Sequence, residues 1–139
     1  MVYLFSGVNI LAIFVVTIIS MIIGWLWYSN VLFGKTWIKL MNISKKDIEK
    51  AKKKGMTKSY IIMFISALIM NYVLALFVDY AGSFALGMRI GFFIWLGFFA
   101  TTMIGSVLWE NKPFKLYLIN TFHYLVALII SGGILAIWI

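Results

Sequence analysis

Residues 24–37 read GWLWYSNVLFGKTW, where three tryptophans and a tyrosine crowd around Lys35, the first charged residue of the chain. Such a mixture suits a soluble active-site loop, a surface on which nucleic-acid bases stack, or the boundary of a membrane. The flanking sequence decides among them. No Asp, Glu, Lys or Arg occurs in residues 1–34, and none occurs in 59–78, 90–109 or 116–139. Each gap has room for the roughly 20 apolar residues that carry a helix across a hydrocarbon core. Within the gaps Leu, Ile, Phe, Val and Met follow one another without the alternation of a barrel strand. Backbone polar groups in lipid have to be paired inside their own segment, which makes these segments helices. The expected fold is all-α: a polytopic membrane protein with a four-transmembrane-helix bundle and an amphipathic, basic helical loop. One membrane domain covers residues 1–139, with spans at about 8–29, 59–79, 87–109 and 116–138 and the loop at 30–58.

Composition excludes the other classes. The 139 residues are 64% hydrophobic and 12% charged, too few charges to cover a water-soluble surface. The net charge of +8 is concentrated, because nine of the eleven lysines lie between Lys35 and Lys58. That cluster offers nothing for base readout, so no nucleic-acid partner is expected. The absence of cysteine removes disulfides, thiolate metal sites and thiol catalysis. One histidine and four scattered acids do not make an ordinary zinc or calcium site. No Gly-rich phosphate loop, G-x-S-x-G or H-E-x-x-H is present, and Asp79 and Glu110 fall on opposite sides of the bilayer. An enzyme is therefore not expected, and no catalytic residue, metal ligand or cofactor is assigned. The first span lacks a basic flank before it and is too long for a cleavable signal, so it reads as a signal anchor.

Four spans place loop 30–58 on the same side as the third connection, which adds Lys112 and Lys115. The middle connection offers only Arg89 against Asp79. The positive-inside rule then puts loop 30–58 in the cytoplasm of a cell-membrane protein, with both termini outside. The opening stretch becomes a membrane-boundary elbow. Trp25, Trp27 and Tyr28 end the first span at headgroup level, where amphipathic rings prefer to sit. Trp37, Leu40 and Met41 share one face of a short interfacial helix, with Lys35 and Lys39 on another. Gly34 permits the turn into it. Ser44 and Asp47 then form a capping box, Ile43 and Ile48 a staple, and Gly55 a stop for a second helix. That helix carries Lys45, Lys46, Lys50, Lys52, Lys53 and Lys54. Near anionic lipid each lysine contributes up to about 1 kcal/mol, so membrane lipids, anionic at the cytoplasmic face, are the expected partner. The alternative is a solvated segment that only sets orientation.

Asn9, the string GWLWYSNVLFGKTWIKL, the stretch KKDIEKAKKKGM, the segment FIWLGFF and the run NKPFKLYLINTFHYLV together resemble a bacterial family of small four-helix membrane proteins. That family is catalogued as domain of unknown function 1761. The similarity covers nearly the whole chain, and WYS-x-x-LFGK-x-W is its most specific part. The resemblance implies the same fold and topology and brings no activity with it.

Polar residues inside the spans carry what functional signal there is. Asn120, Tyr124, Ala127 and Ser131 form one stripe of the fourth span, with His123 beside it. Gly97, Thr101 and Gly105 form another on the third, with Thr102, Ser106 and Glu110 nearby; Thr17, Ser20 and Gly24 line the first, and Asn71 stands in the second. Small and polar residues of this kind let membrane helices approach and hydrogen-bond. At about 1.5 Å of rise per residue the inventory leans toward the cytoplasmic half. The candidate intramembrane site is Tyr28, Asn71, Ser106, Glu110, Asn120, His123 and Tyr124. Two functions compete for it. One is a homo-oligomeric transport or permeation protein for a small molecule or ion of unknown identity. The other is a non-catalytic accessory or scaffolding protein acting through the basic loop and lipid-facing surfaces.

Overall fold

A computed structural model describes residues 7–138 of the chain. Six helices follow one another: α1 (Ile10–Trp27), α2 (Gly34–Leu40), α3 (Lys45–Lys54), α4 (Thr57–Val78), α5 (Phe84–Leu108) and α6 (Phe114–Ile137). Among the described residues there is no strand. α1, α4, α5 and α6 are each long and apolar enough to cross a membrane. They match the four charge-free gaps, with ends displaced by a few residues for local reasons. α1 begins at Ile10 because the Asn9 side chain accepts from the Ala12 N–H at 3.1 Å. α5 begins at Phe84, three residues before the expected start at 87, because the Ser83 hydroxyl accepts from the Leu86 N–H at 3.2 Å. The expected capping box of α3 is formed in both directions. Asp47 N–H donates to the Ser44 hydroxyl at 3.1 Å, and Ser44 N–H donates to the Asp47 carboxylate at 2.9 Å.

The elbow after α1 is built from backbone bonds. Phe33 N–H returns to the Trp27 carbonyl at 3.0 Å and Gly34 N–H to the Ser29 carbonyl at 2.9 Å. Gly34 is required there by close approach rather than by its φ. A Cβ on it would lie 2.4 Å from the Tyr28 carbonyl oxygen.

α6 is the central helix, packed against α1, α4 and α5. Ala12, Ile13 and Val16 of α1, Leu74 and Val78 of α4, and Leu128, Leu135 and Ala136 of α6 fill the core at the end away from loop 30–58. At that end α5 and α6 meet backbone to backbone. A Cβ on Gly87 would lie 2.2 Å from the Gly132 carbonyl oxygen, and one on Gly91 would lie 2.3 Å from that of Leu128. Gly87-x-x-x-Gly91 is thus the small-residue seam of the bundle. The stripe expected to serve this purpose on the third span faces elsewhere. Gly97 has nothing within 4 Å of an added Cβ, and Thr101 is exposed.

α5 is not a uniform helix. Residues Trp95–Ala100 are wound as a π-helix, and the helix breaks again at Ile104. Two side chains of the α5–α6 pair hold this segment. The Trp95 indole N–H donates to the Thr121 carbonyl at 2.7 Å, and the Tyr117 hydroxyl donates to the Ala100 carbonyl at 2.8 Å.

Candidate functional site

α1 and α6 are tied together at the end nearest loop 30–58. The Trp27 indole N–H donates to the Ile119 carbonyl at 2.8 Å, and the Tyr28 hydroxyl donates to Asn120 Oδ1 at 2.9 Å. The Tyr28 ring also meets Trp37 of α2 edge-on, with ring centroids 5.7 Å apart. The aromatics of the opening stretch therefore divide. Trp25 is 68% exposed on the bundle surface, whereas Trp27, Tyr28 and Trp37 pack inward on α6 or one another.

Next to this tie a cavity of about 470 Å³ lies between α1, α4 and α6. Ser20, Met21, Gly24, Trp25 and Tyr28 line it from α1. Tyr60, Met63, Ser66, Ala67 and Met70 line it from α4, and His123, Tyr124 and Ala127 from α6. His123 is 9% exposed, and its buried Nε2 has no hydrogen-bond partner among the described residues. This nitrogen lies against Gly24, where an added Cβ would be 3.1 Å away. The ring sits among Tyr28, Tyr124 and Trp27, with centroids at 5.5, 4.9 and 6.3 Å. Among the described residues no charged side chain lines the cavity.

Above the cavity a small polar knot joins three helices. Asn71 of α4, fully buried, donates through Nδ2 to the hydroxyls of Thr17 and Ser20, each at 3.3 Å. Ser20 Oγ is also 3.3 Å from Ser131 Oγ of α6. The Thr17 and Ser20 hydroxyls donate back to their own helix, to the carbonyls of Ile13 and Val16. Both hydroxyls thus act as acceptors for Asn71, whose own Oδ1 has no partner among the described residues.

A second cavity, about 480 Å³, lies between α6 and the loop-side half of α5. Thr102, Ser106 and Glu110 of the α5 side and Tyr117 and Asn120 of α6 line it. The seven residues singled out from sequence are therefore not one vestibule. Tyr28, His123 and Tyr124 belong to the first cavity; Ser106, Glu110 and Asn120 belong to the second; Asn71 belongs to the knot above the first. Among the described residues the 2.9 Å Tyr28–Asn120 bond is the side-chain hydrogen bond that joins the two groups. Asn120 and His123 are about 60° apart around α6 and about 4.5 Å apart along it, and that offset is enough for neighbouring polar positions to open on different grooves. Sequence reasoning missed the α4 wall of Tyr60, Met63, Ala67 and Met70. Its spacing of three and four was a usable signal, hidden because every face of α4 is apolar.

The six lysines of α3 are all exposed, as is the rest of that helix apart from a half-buried Ile48.

Comparison with known proteins adds one finding. A family model described as protein of unknown function, DUF1761, matches residues 11–136. No curated protein and no solved structure matches the chain.

Proposed function

This chain belongs to the DUF1761 family, proteins of unknown function, and we propose that it is a small transport or permeation protein whose substrate site is the cavity between α1, α4 and α6. The observation that carries this reading is a cavity of about 470 Å³ in the loop-side half, with His123 on its wall and a buried Nε2 lacking a partner. Small-molecule sites are commonly of this size, apolar with a few convergent polar groups, and lie between helices. Buried polar groups in a membrane are costly unless partnered, and a ligand in the cavity reaches this nitrogen once the His123 ring turns away from Gly24. By the positive-inside rule loop 30–58 is cytoplasmic, so the cavity faces the inner leaflet. A single bundle offers a path only as far as the Asn71 knot, and completing it calls for rearrangement or a second copy of the chain.

The test is solute and ion flux in proteoliposomes, comparing wild type with His123→Ala and Asn120→Ala. Wild-type flux above empty liposomes, reduced by His123→Ala, is the expected result. Flux at the empty-liposome level in all three, across a wide panel, overturns the reading. A second reading, an accessory or scaffolding protein, is favoured by two exposed features: the Gly97 and Thr101 face of α5 and the lysines of α3. Gentle purification that brings one partner along in fixed proportion would support it.

A further inference from the structure

The cavity between α1, α4 and α6 has an apolar neighbour on the lipid-facing side of the same two helices. That groove, about 330 Å³, is lined by Ile18, Met21, Ile22, Trp25, Tyr60 and Phe64. Met21, Trp25 and Tyr60 line both spaces. Three flexible or rotatable side chains thus form the wall that the two spaces share. α4 is also the least tethered wall. Among the described residues its side-chain hydrogen bonds to other helices are those of Asn71, and none is made from Thr57 to Met70.

Extent and lining define what would enter. From Tyr60 to Met70 the α4 wall runs about 15 Å at 1.5 Å per residue. That is half of a hydrocarbon core about 30 Å thick, the depth of one leaflet. With no charged side chain among the described residues of the lining, an ionised ligand would sit uncompensated in a low dielectric, which selects for an uncharged one. Trp25, Tyr28, Tyr60 and Tyr124 offer ring faces and edges, and the methionines adapt to an irregular apolar shape. A neutral imidazole has one donor and one acceptor nitrogen, and either pairs with a ligand oxygen.

We propose that the cavity binds an uncharged, membrane-dissolved molecule with a flat ring bearing carbonyl or hydroxyl oxygens, of quinone-like chemistry. It enters sideways between α1 and α4, past Met21, Trp25 and Tyr60, and its oxygen pairs with His123. The proposal rests on the reading of this cavity as the substrate site and names the class of substrate. It requires no redox step.

The test uses the full chain in nanodiscs of neutral lipid, titrated with menadione while tryptophan fluorescence is followed. Collisional quenching in the bilayer gives a linear background, and a bound ring close to Trp25 gives a saturable component above it. Ala67→Phe, which places a ring inside the cavity, should abolish the saturable component. His123→Phe should raise its apparent Kd about tenfold, the order expected for one buried hydrogen bond, with partial rescue in His123→Gln. Each variant is checked for an unchanged thermal transition. Should Ala67→Phe fail to fold, a photoreactive naphthoquinone takes its place and is expected to label the Met63–Met70 stretch. Absence of a saturable component in wild type, or its persistence unchanged in Ala67→Phe and His123→Phe, overturns the proposal. So does displacement of menadione by dodecanoate or anthraquinone-2-sulfonate at lower concentration than by an uncharged naphthoquinone. Saturable binding without flux of any solute removes the transport reading and leaves this one intact. Flux of another solute without saturable menadione binding does the reverse.

Discussion

Replacing Gly91 with alanine tests the packing of the bundle where the distances are sharpest. The added Cβ would lie 2.3 Å from the Leu128 carbonyl oxygen and 2.8 Å from its carbon. Both atoms are helix backbone and cannot rotate away, so α5 and α6 have to part by about 1 Å to restore ordinary contact. A gap of 0.5–1 Å forfeits roughly a quarter to a half of each contact it opens. Overpacking of this kind costs about 1–3 kcal/mol. Gly87→Ala meets the Gly132 carbonyl oxygen at 2.2 Å and should cost a similar amount. Together the two should cost less than their sum, since helices already parted by one methyl accommodate the second. Gly97→Ala is the control. Nothing lies within 4 Å of its Cβ, so the change should be neutral, or stabilising by up to about 1 kcal/mol through helix propensity. Reversible unfolding in mixed micelles, followed by tryptophan fluorescence, measures all four variants. Equal stability of Gly91→Ala and Gly97→Ala would refute the glycine seam.

Other expectations follow from the same geometry. Because the chain has no cysteine, Ser44→Cys and Ser83→Cys can each be labelled singly. An impermeant maleimide should reach Ser83→Cys in intact cells and Ser44→Cys only after permeabilisation, and the opposite pattern would reverse the topology. Changing Lys45, Lys46 and Lys50 to glutamine should reduce enrichment of anionic lipid around the full chain in native mass spectra. In wild type that enrichment should fall with added salt, the Debye length being about 8 Å at physiological ionic strength. Trp27→Phe keeps the ring and loses the 2.8 Å bond to the Ile119 carbonyl, which should lower unfolding stability by about 0.5–1.5 kcal/mol. In α3, hydrogen bonds from the Ser44 backbone and then its side chain hold the Asp47 carboxyl below its ordinary value. A depressed carboxylate stabilises the folded form above the unfolded pKa of about 3.9, and loses that contribution as pH falls through the lower folded value. Amide exchange of residues 45–50 should therefore reflect a constant helix from pH 8 to 5 and acceleration only below about 4, corrected for intrinsic rates.

How much of this was legible in the sequence depends on what carried the signal. Spans were legible because charges are excluded from hydrocarbon, so Lys58, Asp79, Glu110 and Lys115 mark helix ends by their own solvation, whereas Arg89 lies inside α5 and set the expected start of that span too late. The capping box of α3 was legible because it is local, needing only Ser44 and Asp47 three residues apart. The glycine seam was hidden although its spacing is the familiar one. Gly87 and Gly91 flank Arg89 at the edge of the third charge-free gap, which made them look like the end of a span. The π-winding of Trp95–Ala100 leaves no trace in an all-apolar stretch. It is held by Trp95 and Tyr117 reaching backbone atoms on the opposite helix, a tertiary cause. For the site, depth was legible and direction was not. Residue counting set the polar residues in the cytoplasmic half, but it did not separate Asn120 and His123, which open on different cavities.

The pattern of tethers leads to a last prediction, about motion. α6 is pinned to α5 by glycine contacts at one end and by Trp95 and Tyr117 nearer the other. It is pinned to α1 by Trp27 and Tyr28 at the loop end. α4 has its polar anchor at Asn71 and its buried apolar residues, Leu74, Ala75 and Val78, on the far side of that anchor. Its loop-side half, from Thr57 to Met70, has no buried residue and forms the outer wall of the cavity. Local stability follows buried contact, so this half should swing about Asn71 while the rest stays fixed. Spin labels on the cysteine-free background can measure it. A pair at Leu26 and Ile61, 40% and 55% exposed, reports the loop end. A pair at Leu11 and Phe77, 65% and 59% exposed, reports the other end. The first pair should give the broader distance distribution, and Asn71→Leu should broaden the second by removing both hydrogen bonds to α1. Menadione should narrow the first pair alone, because a ligand in the cavity gives the α4 wall something to pack on. Equal widths at the two ends would mean that α4 is as rigid as its neighbours, and entry between α1 and α4 would lose its physical basis.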